Sequence, residues 1–149
     1  MNDLDYDSDK DDTDAEIALT LALKDETVRT FSIYNWSGGR FDHLLSILYL
    51  IYQPRFKTLI GRLTFYDAAN TVSFYEPGEY TIQKETSKKY LSFIGMAPLK
   101  ELTLKEVKYP LSDQSYAYPR ALISNEFLNE TCRVSFKEGI LAVIQARCK

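Results

Sequence analysis

The sequence predicts an α+β fold, a mainly antiparallel β-sheet of about seven or eight strands packed on one buried helix. Three observations carry that expectation. Short runs of alternating apolar and polar residues recur between turn residues, the period that sends successive side chains to opposite faces of a strand. One stretch, Phe41 to Tyr52, stays apolar for longer than a strand usually lasts and reads as a helix of about 41–53. Finally, 45% of the 149 residues are hydrophobic and 13% aromatic, enough apolar surface to offset the entropy of ordering. A chain of this length hides roughly 70% of its unfolded surface in one core. A single globular domain over 15–149 is therefore expected.

Residues 1–16 hold eight acids against Lys10, a charge of −7, so the remainder of a chain with net charge −3 carries +4. Like charges this close repel, and residues 1–14 are expected to form a disordered acidic tail. Ile17, Leu19, Leu21 and Leu23 then alternate with Ala18, Thr20, Ala22 and Lys24, predicting a strand that returns through Val28 to Tyr34 as a hairpin. Gly38 and Gly39 would turn the chain into the buried helix, with Arg40 and Asp42 at its wet end and Pro54 closing it.

From Arg62 onward the pattern is of strands. RLTFY, TVSFY and EYTIQ alternate between turns at 67–70 and 76–78, predicting a meander of antiparallel neighbours. KETSKK is a polar loop tip and YLSFI a strand; Leu102 and Leu104 argue for another strand, the reading preferred over a short helix carrying Leu99, Leu102 and Glu106. LSDQSYAYPR reads as irregular surface, and Pro119 as the first residue of a second short helix of about 119–129 with Leu122, Ile123 and Phe127 on one side. Cys132, Val134 and Phe136 alternate again, and ILAVIQA is so uniformly apolar that it belongs at the centre of the sheet.

Several function classes fall away. Cys132 and Cys148 match neither a C-x-x-C redox pair nor a zinc cluster, so reduced thiols, no cofactor and no metal are expected. The acidic start is unlike a secretory leader and no apolar run reaches the ~20 residues of a membrane span, which points to a cytoplasmic or nuclear protein with no membrane partner. Gly38, Gly39 and Arg40 are candidates for holding an anion at a helix start, although the spacing fits neither phosphate-loop pattern. Asp42, His43 and Ser46 come from one helical turn, where neighbours point about 100° apart, and cannot align as a catalytic triad. No catalytic residue is therefore assigned.

What remains is contact chemistry. Eleven tyrosines are many for this length, and tyrosine supplies broad amphipathic contact at low entropic cost. Tyr90, Tyr109, Tyr116 and Tyr118, with Lys88, Lys89 and Arg120, form the expected partner-binding set. The sequence thus favours a non-enzymatic protein-binding module, a small inhibitor or antidote or an accessory subunit of a larger complex. Two other readings stand beside it: a nucleic-acid-binding accessory protein using the basic, tyrosine-rich body, and an enzyme acting through His43.

Overall fold

The computed structural model describes residues 12–34 and 40–147. Helix α1 (Asp14–Ala22) leads to β1 (Phe31–Tyr34), and α2 (Phe41–Leu48) continues through two 3-10 segments, Tyr49–Tyr52 and Pro54–Leu59. Strands β2 (Leu63–Tyr66), β3 (Asn70–Tyr75), β4 (Gly78–Gln83), β5 (Tyr90–Gly95) and β6 (Leu99–Lys105) follow, then β7 (Leu111–Tyr116), β8 (Ala121–Asn125), β9 (Thr131–Phe136) and β10 (Leu141–Ala146). They form two sheets, one of six strands in the order β1-β2-β3-β10-β5-β8 and one of four in the order β4-β9-β6-β7. All pairings are antiparallel except that of β1 with β2. The α+β class with mostly antiparallel strands is as the sequence predicted.

Two cores result, one on each side of the six-stranded sheet. The first joins Leu19 of α1, Ile47 of α2 and the buried Leu50, Phe56 and Leu59 of the 3-10 segments to Leu63, Phe65, Val72 and Phe74 of β2 and β3. The second joins Leu91 and Phe93 of β5 to Leu102, Leu104, Cys132, Val134 and Phe136 of the four-stranded sheet. Strand β10 serves both, with Ala142 in the first core and Leu141 and Val143 in the second. Burial on both faces is why ILAVIQA shows no alternation, and its central place between β3 and β5 matches the sequence expectation.

Several local expectations are corrected. Residues 17–22 are helix and 23–24 a turn, not a strand: Thr13 caps α1 by accepting from the Glu16 amide at 3.2 Å while the Glu16 carboxylate accepts from the Thr13 amide at 2.7 Å. This reciprocal pair settles two orphan amides of the first turn. Ala15, Leu19, Ala22 and Leu23 then fall on one helical stripe against the first core. There is accordingly no hairpin, and β1 pairs in parallel with β2 instead.

The helix starting at Phe41 is shorter than expected and not buried all round, since Phe41 (70% exposed), Leu45, Tyr49 and Tyr52 face outward while Ile47, Leu50 and Ile51 face in. The stretch from Pro119 forms strand β8 on the open edge of β5, where Ile123 is exposed and Leu122 packs on the second core. Pairing an otherwise bare strand edge outweighs local helix propensity here. Residues 111–116, expected to be irregular, form β7 on the edge of the smaller sheet. The meander is broken as well, because β3 and β4 are consecutive in sequence but belong to different sheets. The proposed acidic tail lies largely outside the described residues, and Asp12, Thr13 and Asp14 are ordered against the body.

The turn before β10 needs Gly139. Its φ is +109°, and a Cβ there would stand 2.4 Å from the Pro98 carbonyl oxygen, an approach no side chain tolerates. Gly139→Ala should therefore destabilise the chain by about 1–3 kcal/mol from backbone strain alone, read as a lower urea midpoint at unchanged slope; an unaltered midpoint would show that the turn relaxes freely.

Candidate functional site

The helical layer carries a tight charged cluster at the start of α1. Arg55, following the turn at Gln53, donates to both carboxylate oxygens of Asp12 at 3.0 Å and to Glu16 at 3.2 Å. Gln53 donates to the same Glu16 carboxylate and accepts from Arg55 at 2.6 Å. The arrangement follows from the capping box, which fixes Glu16 at the mouth of the helix, and from Pro54, which ends the preceding segment and swings Arg55 back across it. The hydrogen bond from Arg55 holds the Asp12 carboxyl below its usual range. At Glu16 burial pushes the pKa up, but the hydrogen bonds from Thr13 and Gln53 outweigh it and the net shift is downward.

At the start of α2 the Arg40 guanidinium meets the Asp42 carboxylate at 2.7 and 3.1 Å, and the His43 amide donates to the same carboxylate at 2.8 Å. That places one cation and one anion at a helix N-terminus directly after 35–39, so of the anion-binding candidates Arg40 is seen and Gly38 and Gly39 lie outside the described residues. Ser46 Oγ donates to the His43 carbonyl oxygen at 2.8 Å, not to the imidazole, so no serine–histidine pair forms. Nearby in the sheet, Tyr34 at the end of β1 is 66% exposed. It stacks on Tyr66 of β2 with centroids 5.0 Å apart.

The expected partner-binding residues divide into two neighbourhoods. Tyr116 and Arg120 pair as cation and ring at 5.0 Å near the junction of β7 and β8, with Tyr118 exposed between them. Lys88 and Lys89 line a second place, a groove of about 250 Å³ shared with Lys84, Ser87, Glu126 and Phe127. Tyr90 lies under Lys89 there, at 5.4 Å. Lys88 is committed inward, donating at 2.9 Å to both Thr71 Oγ1 and Glu85 Oε1. Tyr109 is tied in from the other side, its amide donating to Asn125 Oδ1 at 2.9 Å and its carbonyl accepting from Asn125 Nδ2 at 3.0 Å. A second concave surface, about 490 Å³, is the open face of the four-stranded sheet.

Burial pushes the Cys132 thiol up to about 12, so it is an inert packing residue. Among the described residues no three His, Cys, Asp or Glu side chains converge as metal ligands would, and no helix is long and apolar enough to cross a membrane.

A helical layer carrying paired charges at helix starts is joined through a shared sheet to a two-sheet sandwich with polar grooves, so the chain has two parts. Its halves match two family models: residues 2–60 match "Thiamin pyrophosphokinase, catalytic domain" and residues 79–141 match "Thiamin pyrophosphokinase, vitamin B1 binding domain". The chain is 37% identical over 143 residues to a thiamine pyrophosphokinase of Bacillus subtilis, an alignment covering 95% of this chain and 65% of that protein. It superposes on the crystal structure of a thiamin pyrophosphokinase family protein from Enterococcus faecalis with a TM-score of 0.89 and 40% identity, covering 93% of this chain and 65% of the other. A Lactobacillus plantarum protein of known structure gives a TM-score of 0.86 at 38% identity, covering 93% of this chain and 68% of the other. The chain belongs to the thiamin pyrophosphokinase family, and it spans about two thirds of the length of these relatives.

These matches overturn the reading of the chain as a non-enzymatic binding module, inhibitor or complex subunit: both of its parts are parts of an enzyme family. The missing triad was a poor guide, because many enzymes work through positioned charges and dipoles with no covalent nucleophile. Asp12, Glu16 and Arg55 were also missed. The one available signal was the Thr13-x-x-Glu16 capping box, hidden in what looked like a uniform acidic run.

Two expected outcomes follow. Asp12 and Glu16 have folded pKa values below the unfolded ones, so they add stability in full above the unfolded values of 3.8 and 4.5 and lose it as the pH falls through the folded ones. Arg55→Gln should lower the urea midpoint at pH 7 and shrink the difference from the parent as the pH falls below about 4.5; a pH-independent difference would mean that Arg55 acts only by packing. Asn125, 5% exposed, should not be replaceable by its apolar isostere. Asn125→Leu strands the Tyr109 amide and carbonyl at about 1–3 kcal/mol each, measurable by chemical denaturation, whereas a loss under 0.5 kcal/mol would show that water takes over both bonds.

Proposed function

We propose that this chain acts in pyrophosphoryl transfer to thiamin, binding the vitamin on the part over 79–141 and the phosphate chain of a nucleoside triphosphate against the helical layer. The observation that carries the reading is that a catalytic match and a vitamin-binding match fall on the two sides of a single shared sheet. A pyrophosphokinase joins an alcohol oxygen of its acceptor to the β-phosphorus of the donor; the bond from that phosphorus to the α–β bridging oxygen breaks, nucleoside monophosphate leaves, and the hydroxyl proton is released.

Such a transfer is promoted by groups that hold the phosphate chain in line and meet its charge. Arg40, exposed beside the 35–39 segment, is free to turn from Asp42 to a phosphate at little cost, since water screens a surface ion pair. Arg55 is different. Held by Asp12, Glu16 and Gln53, it is a positioning residue that fixes the start of α1. The vitamin is a cationic pair of aromatic rings, for which a carboxylate beside an aromatic face, as Glu126 and Phe127 offer in their groove, is suitable chemistry. A nucleoside triphosphate as donor also accords with an intracellular setting.

The reading is tested by titrating the purified chain with thiamin while following backbone amide signals, then supplying ATP and looking for thiamin diphosphate and AMP by mass spectrometry. Saturable shifts among residues 79–141 and formation of both products in equal amounts are expected. No shift at millimolar thiamin would contradict it.

A further inference from the structure

The groove on the open face of the four-stranded sheet has a charge pattern that the proposed reaction does not use. Two cross-strand rows floor it. In the first, Thr81 of β4, Arg133 of β9 and Lys105 of β6 stand side by side, for Thr81 pairs with Arg133 and Arg133 with Lys105. In the second, Glu79, Ser135 and Thr103 are aligned in the same way. Asp113 of β7 closes that row, its amide donating to Thr103 Oγ1 at 3.0 Å and its carboxylate accepting from the same hydroxyl at 3.3 Å. The rows are two residues apart along the strands, or about 6.6–6.8 Å.

The first row sets two cations directly opposite each other, an arrangement that is destabilising where opposite charges would be favourable. Among the described residues neither Arg133 nor Lys105 makes an ion pair. The second row is acidic, and it too leaves Glu79 without an ion-pair partner. The bulged register of β6 against β7, with Asp113 at φ +49°, is what turns this carboxylate onto Thr103 and keeps it away from Lys105. Thr81, Ser112 and Ser135 bring hydroxyls to the lining of the same groove. Segregated charges kept unpaired in a cavity of about 490 Å³ make a dipolar receptor.

We propose that this groove binds a small phosphomonoester that also carries a positive charge, with the phosphate across Arg133 and Lys105 and the cationic end toward Glu79 and Asp113. Guanidinium and ammonium together meet the phosphate oxygens by charge-assisted hydrogen bonds. The carboxylate row repels a second anionic group and so selects against diphosphates lacking a cation.

Phosphocholine and inorganic phosphate are suitable probes, titrated calorimetrically into the full chain. Phosphocholine should bind more tightly than inorganic phosphate by at least fivefold. All of the side chains concerned are exposed, so their substitution leaves the fold intact. Arg133→Gln should weaken both probes at least tenfold, Glu79→Gln should weaken phosphocholine alone, and Lys105→Glu, which creates a cross-strand ion pair with Arg133, should abolish binding while raising the melting temperature. Binding unaltered in Arg133→Gln, equal affinity for the two probes, or no heat with either at millimolar concentration would each overturn the proposal. Because neither probe is thiamin or a nucleotide, its failure leaves the proposed transfer reaction untouched.

Discussion

The structure depends on one strand having two buried faces. β10 lies between β3 and β5, and its side chains go alternately to the helical core and to the sandwich core, Ala142 to one and Leu141 and Val143 to the other. Further along, Gln145 is 5% exposed, and both ends of its side-chain amide are bonded: Nε2 donates to the Gln83 carbonyl and Oε1 accepts from the Glu85 amide, both at 2.9 Å. A buried amide satisfied in this way pins the end of β4 to the larger sheet, since leaving either partner unmet would carry a desolvation cost. Remove β10 and the segment matching the catalytic model has no sheet in common with the segment matching the vitamin-binding model.

That coupling gives the functional reading its physical content. Residues of the helical layer reach their positions through long-range contacts: Arg55 meets Asp12 across 43 residues and Glu16 across 39. The sandwich positions its grooves by register, so that every lining side chain is set by which residue lies opposite which. A ligand spanning both parts would be held by elements that do not slide against one another, because the shared strand fixes them.

How much of this could be read from the sequence follows from the same contrast between local and distant interactions. β2, β3, β4, β5, β6 and β9 alternate because each has one buried face, and β10 is legible as central because it has two. Two of the edge strands are not legible: β7 buries almost nothing, so Leu111 to Tyr116 has no periodicity to show, and β8 exists only because β5 offers it an edge. α1 was misread because Ile17, Leu19, Leu21 and Leu23 alternate by coincidence, while the helical stripe of Ala15, Leu19 and Ala22 is small-sided and quiet. The candidate site was hidden for a related reason. Charges such as Asp12 and Arg55 are ordinary surface residues until folding brings them together, and no periodicity announces such a meeting.

Native-state hydrogen exchange across a series of denaturant concentrations tests most directly whether β10 binds both cores into one unit. The account requires the amides of Phe65 and Phe74 in the first core, Leu104 and Val134 in the second, and Val143 and Ile144 between them to merge into one common opening reaction. Two separate openings, with the amides of β10 following only one core and the other exchanging more than about tenfold faster, would contradict it.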